Sequence, residues 1–247
     1  MAYSTKLIRI SSNIWLSAPA FCLLLFFATS CSSNGVSRPD AREPSFQEQV
    51  RSVQQGLTRE IQSKDPINDI EFAQVQGLSS LEVLSLSTAQ LSDEIADSLA
   101  SLVGLKSLRL EKSPIGDRSA VAIGNLSQLT TLNLPRCGIS DQGILNWPSL
   151  PNLILLRIGS PNLSDAAMET ISKMNSLRFL HLMDVQNSDI GLGKIHGMHQ
   201  LESFYLDGGQ VTDRGLSQLI EALPRLHFHR DQQHIPNDPR TDDHRKR

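Results

Sequence analysis

Apolar residues return at 24-residue intervals over more than half of the chain. Leu81, Leu105, Leu129, Leu153, Leu177 and Leu201 open six copies of one unit, and Asp93, Asp117, Asp141, Asp165, Asp189 and Asp213 mark each copy twelve residues later. Within a copy the apolar period changes. Leu81, Leu84 and Leu86 read as a short alternating strand with its last two leucines on one face. Leu91 turns the chain, and Ala96, Leu99 and Leu102 form a stripe at helical spacing. The columns persist through all copies, as in Leu84, Leu108, Leu132, Leu156, Leu180 and Phe204, or Leu99, Ile123, Trp147, Ile171, Ile195 and Leu219. Such a unit can bury its strand face and helix stripe only against its neighbours. The pattern therefore predicts an α/β solenoid of stacked short parallel strands and helices.

The flanks carry weaker versions of the same pattern. From Phe46 the spacing Val50, Val53, Leu57, Ile61 predicts an N-terminal capping helix over the first copy. A half-repeat starts at 67, with Ile67, Asp69, Phe72, Val75 and Leu78, and six full repeats occupy 78–222. At Leu226 the spacing slips by one, which gives a truncated last strand over 226–229 and a repeat domain over 46–229. Residues 230–247 hold five basic and four acidic residues and two prolines, and are expected to be a disordered tail.

The amino terminus has another character. Lys6 and Arg9 precede an apolar stretch that starts at Ile14 and runs to Phe27, which reads as a signal peptide over 1–30. It closes on Ala28-Thr29-Ser30-Cys31, small residues before a cysteine, and resembles the lipobox of bacterial lipoproteins. That resemblance implies a lipid-modified Cys31 and, because Ser32 follows, an outer-membrane address; it departs from the family at Ala28, where Leu is commoner. Cleavage of an ordinary secretory signal near Ser30, giving a periplasmic or secreted protein, and an uncleaved anchor are the alternatives. The polar segment 31–45, with Pro39 and Pro44, reads as a flexible tether. Cys22 falls in the signal region, so Cys137 is left without an internal disulfide partner.

The Leu-x-x-Leu-x-Leu strands and the turns Ile139-Ser140-Asp141-Gln142-Gly143-Ile144 and Val211-Thr212-Asp213-Arg214-Gly215-Leu216 are similar to the leucine-rich repeat family. The nearest pattern is the 24-residue, cysteine-containing type of the F-box-associated ubiquitin-ligase receptors, also common in bacterial proteins. The resemblance spans about 67 to 229 and implies a right-handed curved stack with a concave sheet. The ladder position after each strand, usually Asn or Cys in that family, is here Ala89, Ser113, Cys137, Pro161, Val185 and Gly209. The turns on that edge are therefore expected to be less uniform.

Composition narrows the functional classes. The chain is 39% hydrophobic but only 5% aromatic, which suits thin repeated layers, and its net charge is −3. Removal of residues 1–30 leaves 21 basic against 26 acidic residues, or −5, and argues against nucleic acid as a partner. The column of aspartates is read as helix N-caps, each worth about 1 kcal/mol. Cys137 is read as a small buried hydrophobe. His196 and His199 lie three apart without a third ligand nearby, and His227, His229 and His234 offer adventitious metal affinity. Ser203, His181 and Asp207 could be imagined as a hydrolytic triad, but an open sheet lacks a water-excluding pocket and oxyanion donors. No phosphate-cradling glycine loop is present, so no enzyme activity and no cofactor or metal is expected.

The positions that do not repeat carry the functional expectation. A period of two places Ser85, Arg109, Asn133, Arg157, His181 and Tyr205 in one outward column. Flanking positions include Glu111, Leu155, Phe179, Met183 and Asp207. Arg109, Leu155, Arg157, Phe179, His181, Met183, Tyr205 and Asp207 are the candidate ligand-binding residues, with the aromatic, Met and Arg content of binding hot spots. Asn187 stands beside them where other copies carry Leu, Ile or Val. The expectation is a non-enzymatic protein-binding module displayed at the bacterial cell envelope and held to the membrane by a lipid anchor. A structural envelope spacer without a specific ligand, or a cytosolic adaptor resembling ligase substrate receptors, are the alternatives.

Overall fold

The computed structural model describes residues 42–231, apart from 146 and 149, and the backbone of 233 and 234. The signal segment 1–30, Cys31, nearly all of the tether and most of the tail lie outside the described residues.

Eight strands pair in sequence order into one parallel sheet: β1 (Glu60–Ser63), β2 (Val83–Leu86), β3 (Ser107–Leu110), β4 (Thr131–Leu134), β5 (Leu155–Gly159), β6 (Phe179–Met183), β7 (Ser203–Asp207) and β8 (His227–Arg230). A short antiparallel strand, β9 (Gln233–His234), closes the last edge. After α1 (Phe46–Gln54), the helices on the other layer are α2 (Asp69–Phe72), α3 (Ala96–Ala100), α4 (Asp117–Gly124), α5 (Asp141–Leu145), α6 (Asp165–Ile171), α7 (Asp189–Lys194) and α8 (Asp213–Ala222), with 3₁₀ turns after α2 and before α3. The strand leucines and the helix stripe fill one continuous core, from Phe46 to Phe228. Trp147 replaces an aliphatic residue in that stripe. It fits because Gly124 in the preceding copy has no Cβ, which would stand 2.6 Å from the indole ring, and the indole N–H donates to the Ala120 carbonyl at 2.8 Å.

The ends differ from the expected layout. The predicted capping helix does not reach Ile61: α1 stops at Gln54, Gly56 takes a left-handed φ of 70°, Leu57 is exposed, and Ile61 is buried in β1. A helix followed by a strand mimicked one helical spacing. Strand β1 also pairs with β2 one position short of the repeat interval, Ile61 with Leu84, so it falls outside the common frame. α1 begins with a reciprocal capping box between Ser45 and Glu48. It then shields the edge of β1, where the Gln49 amide donates to the Gln62 carbonyl at 2.9 Å and accepts from the Gln62 N–H at 2.7 Å. At the other end the strand register does not slip. Phe204 pairs with Phe228 and Tyr205 with His229, each a full repeat further on, and only the leucine leading into the strand is displaced, to Leu226.

The aspartates do something other than cap their own helices. Each is the first helical residue, and the cap is the residue before it: Ser92, Ser164, Ser188 and Thr212 accept from an amide of the first turn. The Asp carboxylate instead reaches the cap of the next copy. Asp141 accepts from the Ser164 N–H at 2.9 Å and its hydroxyl at 2.6 Å, and the Asp69–Ser92, Asp117–Ser140, Asp165–Ser188 and Asp189–Thr212 pairs repeat this. Where Gly116 supplies no hydroxyl, Asp93 takes the backbone N–H groups of Gly116, Arg118 and Ser119. Burial opposes ionisation of Asp93, yet Ser119 and the neighbouring amides outweigh it and hold the carboxyl below its ordinary range. Hydrogen bonds from Thr212 do the same for Asp189. The glycine that follows the aspartate at the second position of the motif admits this contact. A Cβ at Gly143, Gly191 or Gly215 would stand 2.2–2.4 Å from the incoming carboxylate oxygen.

The turns after the strands are not uniform. Lys112, Asp184 and Gly208 precede their ladder positions with positive φ, at 57°, 55° and 84°, and the corresponding residues of other described copies do not.

Candidate binding surface on the open face of the sheet

Alternation along each strand sends one set of side chains into the core and leaves the other half-buried on the face away from the helices. Parallel pairing then aligns this second set in rows. One row reads Gln62, Ser85, Arg109, Asn133, Arg157, His181, Tyr205, His229, and the next reads Glu60, Val83, Ser107, Thr131, Leu155, Phe179, Ser203, His227.

The candidate residues fall into two groups. In the middle, Arg109 is ion-paired with Glu111. Arg157, two strands on, has no hydrogen-bond or ion-pair partner among the described residues; Glu111 and Asp207 act on it only at longer range. Desolvation and the nearby positive charge of Arg109 both lower its pKa, so the site holds an incompletely compensated cation. Leu155 and Phe179 are register partners and lie beside it. Toward the carboxyl end, His181 Nε2 meets Asp207 Oδ2 at 2.9 Å, and the His181 ring lies 5.4 Å from Tyr205. Burial pushes the His181 pKa down, although the Asp207 hydrogen bond opposes this. Desolvation raises the Tyr205 pKa. The Asn133 Oδ1 and Asp207 Oδ1 atoms are buried with no hydrogen-bond partner among the described residues.

Met183 takes a different place from its neighbours. It is 8% exposed and lies outside the core cluster, between Gly159 and Asp207 in register. It serves as a floor to the patch more than as part of its surface.

The patch also includes His227 and His229, which the sequence pattern assigned to a ragged end. The Tyr205 ring stacks on His229 with centroids 4.5 Å apart and planes 13° from parallel, and His227 lies 4.6 Å from His229. The signal was available, because His229 stands one full repeat after Tyr205; the displaced Leu226 obscured it. His181 Nε2 is engaged by Asp207, and Ser203 occupies the other row, between Phe179 and His227, with no hydrogen bond to His181 among the described residues.

Other candidates lie away from this surface. Cys137 is buried, its Sγ is 3.4 Å from the Gly159 carbonyl oxygen, and burial pushes the thiol pKa up to about 11. His196 and His199 sit in the turn after α7, and among the described residues no three His, Cys, Asp or Glu side chains gather closely enough to hold a metal ion. A hollow of about 490 Å³, lined by Pro66, Thr88, Gln90, Lys112 and Pro114 among others, lies on the loop edge.

Stacked strand-turn-helix units, one open parallel sheet and a rigid row of outward side chains define the class: the fold is a leucine-rich repeat solenoid. Residues 126–146 match the family model described as Leucine Rich repeat. Among solved structures, an internalin from Listeria monocytogenes is similar over 75% of this chain and 51% of its own, with 24% identity and a TM-score of 0.59. The chain thus spans about half the length of that internalin. A leucine-rich repeat protein of Leptospira interrogans aligns over 67% of this chain and 52% of its own at 18% identity and a TM-score of 0.42. The ectodomain of the Arabidopsis receptor kinase HAESA, solved with a peptide hormone ligand, aligns over 69% and 29% at 20% identity and a TM-score of 0.46. No curated protein sequence matches the chain.

Proposed function

We propose that this chain is a non-enzymatic protein-binding module that uses the open face of its sheet, centred on Arg157, Phe179, His181 and Tyr205, to hold an extended segment of a partner protein. The observation that carries the reading is Arg157, a half-buried cation with no hydrogen-bond or ion-pair partner among the described residues, set beside Leu155 and Phe179. A guanidinium presents five donors, and a peptide carbonyl or carboxylate satisfies them while apolar side chains cover Phe179. The packed layers hold these groups with little freedom left to lose on binding.

The Ala28-Thr29-Ser30-Cys31 motif supports export and lipid attachment at Cys31, which would display the module at the cell envelope. The Ser/Thr-Asp-x-Gly-Leu turns support the finer kinship with the cysteine-containing repeat type.

The test compares proteins cross-linked to the wild type in envelope preparations with those cross-linked to Arg157→Glu and to Phe179→Ala/Tyr205→Ala. A specific binder loses its cross-linked species in both variants while its thermal midpoint stays in place. The same species on all three proteins would leave a spacer as the better description. The mass of the mature amino terminus tests the anchor separately.

A further inference from the structure

Strand β8 ends the parallel sheet with two histidines that the binding surface leaves without a role of their own. Positions 227 and 229 flank the core residue Phe228, so both side chains belong to the open face, where His227 is half-buried and His229 is 9% exposed. Their Nε2 atoms approach to 2.8 Å. Both rings are held in place: His229 by the stacked Tyr205 ring, and His227 by edge contacts with Tyr205 and His229.

We propose that His227 and His229 form a chelating site for a divalent transition metal, and that the spacing of their nitrogens selects Cu(II) or Ni(II) over Zn(II). Imidazole is a ligand for all three ions. Geometry separates them. With both metal–nitrogen bonds at about 2.05 Å, a nitrogen separation of 2.8 Å corresponds to an N–metal–N angle of about 86°. That is the angle between adjacent ligands in square-planar or octahedral coordination, the geometries of Cu(II) and Ni(II). Tetrahedral Zn(II) would need the nitrogens about 3.3 Å apart, wider than their separation here.

Binding involves no redox step. Two nitrogens in contact cannot both carry a hydrogen on the facing atoms, so at most one Nε2–H stands between the rings. On coordination that hydrogen is relocated to Nδ1 of the same ring through solvent, and both Nε2 lone pairs point to the metal. Water, or a donor atom of a bound partner at the carboxyl end of the face, would add to these two nitrogens in the coordination shell.

The experiment titrates the purified full chain separately with Cu(II), Ni(II) and Zn(II), following heat and, for Cu(II), electron paramagnetic resonance. One equivalent of Cu(II) is expected to bind with a signal split by two imidazole nitrogens, followed in affinity by Ni(II) and then Zn(II). His227→Ala and His229→Ala should each weaken Cu(II) about tenfold or more, and His196→Ala/His199→Ala should not. Metal-free thermal midpoints monitor folding: a variant that keeps its midpoint but loses the metal-induced rise supports the site. Zn(II) binding tighter than Ni(II), or Cu(II) binding that survives both single variants and disappears in His234→Ala, would overturn the proposal.

Discussion

Asn187 occupies a position that other copies fill with Leu91, Ile115, Ile139, Leu163 and Val211, and it is just as buried. Its backbone carbonyl receives the Gln210 N–H, but its Nδ2 has no partner among the described residues. A buried, unsatisfied amide costs about 1–3 kcal/mol. Asn187→Leu should therefore raise stability by about 1 kcal/mol in a urea titration, and a loss would mean that the amide is satisfied. His181 makes a pH-dependent contribution. Burial depresses its folded pKa below the ordinary 6.5, so the unfolded chain takes up a proton more readily. Its contribution to stability is complete above about pH 6.5 and is lost as pH falls through that value toward the folded pKa. His181→Gln should flatten the decline in urea midpoint between pH 7.5 and 5.5; an identical decline would place the pH dependence in other groups. Asn187 was visible in the sequence as a broken column. The lone charge of Arg157 was not, because an ion pair depends on side-chain reach that register alone does not give.

At the scale of the repeat, the aspartate column separates two accounts that make different predictions. An Asp that capped its own helix would be worth the same in every copy. An Asp that ties one copy to the next matters only where a next cap exists. Asp141→Ala removes two charge-assisted bonds to Ser164 and should cost about 1–2 kcal/mol. Asp213, with its side chain fully exposed and no cap beyond it among the described residues, should change the thermal midpoint little when replaced by Ala. Equal losses at both positions would restore the capping account. The sequence showed the aspartates, the serines and the glycines of these turns at their correct spacing. It could not show that the bonds run between copies, since 23 residues separate partners that are close neighbours in space. The same limit applied at β1, where an offset shorter by one position removed Ile61 from every column and left it to a helical spacing.

Over the whole molecule, the repeat frame determined the architecture, and the edges needed the structure. Gln49 and β9 each protect an end of the sheet by local contacts that no repeat announces. The patch at the carboxyl end is larger than the sequence suggested, because β8 extends it by His227 and His229. If this face is the binding surface, its two groups should be separable. Arg157→Ala should weaken a peptide partner without altering Cu(II) uptake, and His229→Ala should weaken Cu(II) uptake about tenfold or more whatever it does to the partner. Parallel loss of both properties in Arg157→Ala would mean a single, indivisible site.

The carboxylate-to-cap bonds all run in one direction along the stack, and each uses only groups from two adjacent copies. A cut at the same point in any two copies therefore leaves matching halves of the same joint. A further copy carrying its own Ser-Asp pair could be spliced in, or one copy removed, and every junction would still close. The face would lengthen or shorten by about 5 Å per unit. The distance between the Arg157 group and the histidine end thus becomes adjustable by gene duplication or deletion alone, without redesign of any layer.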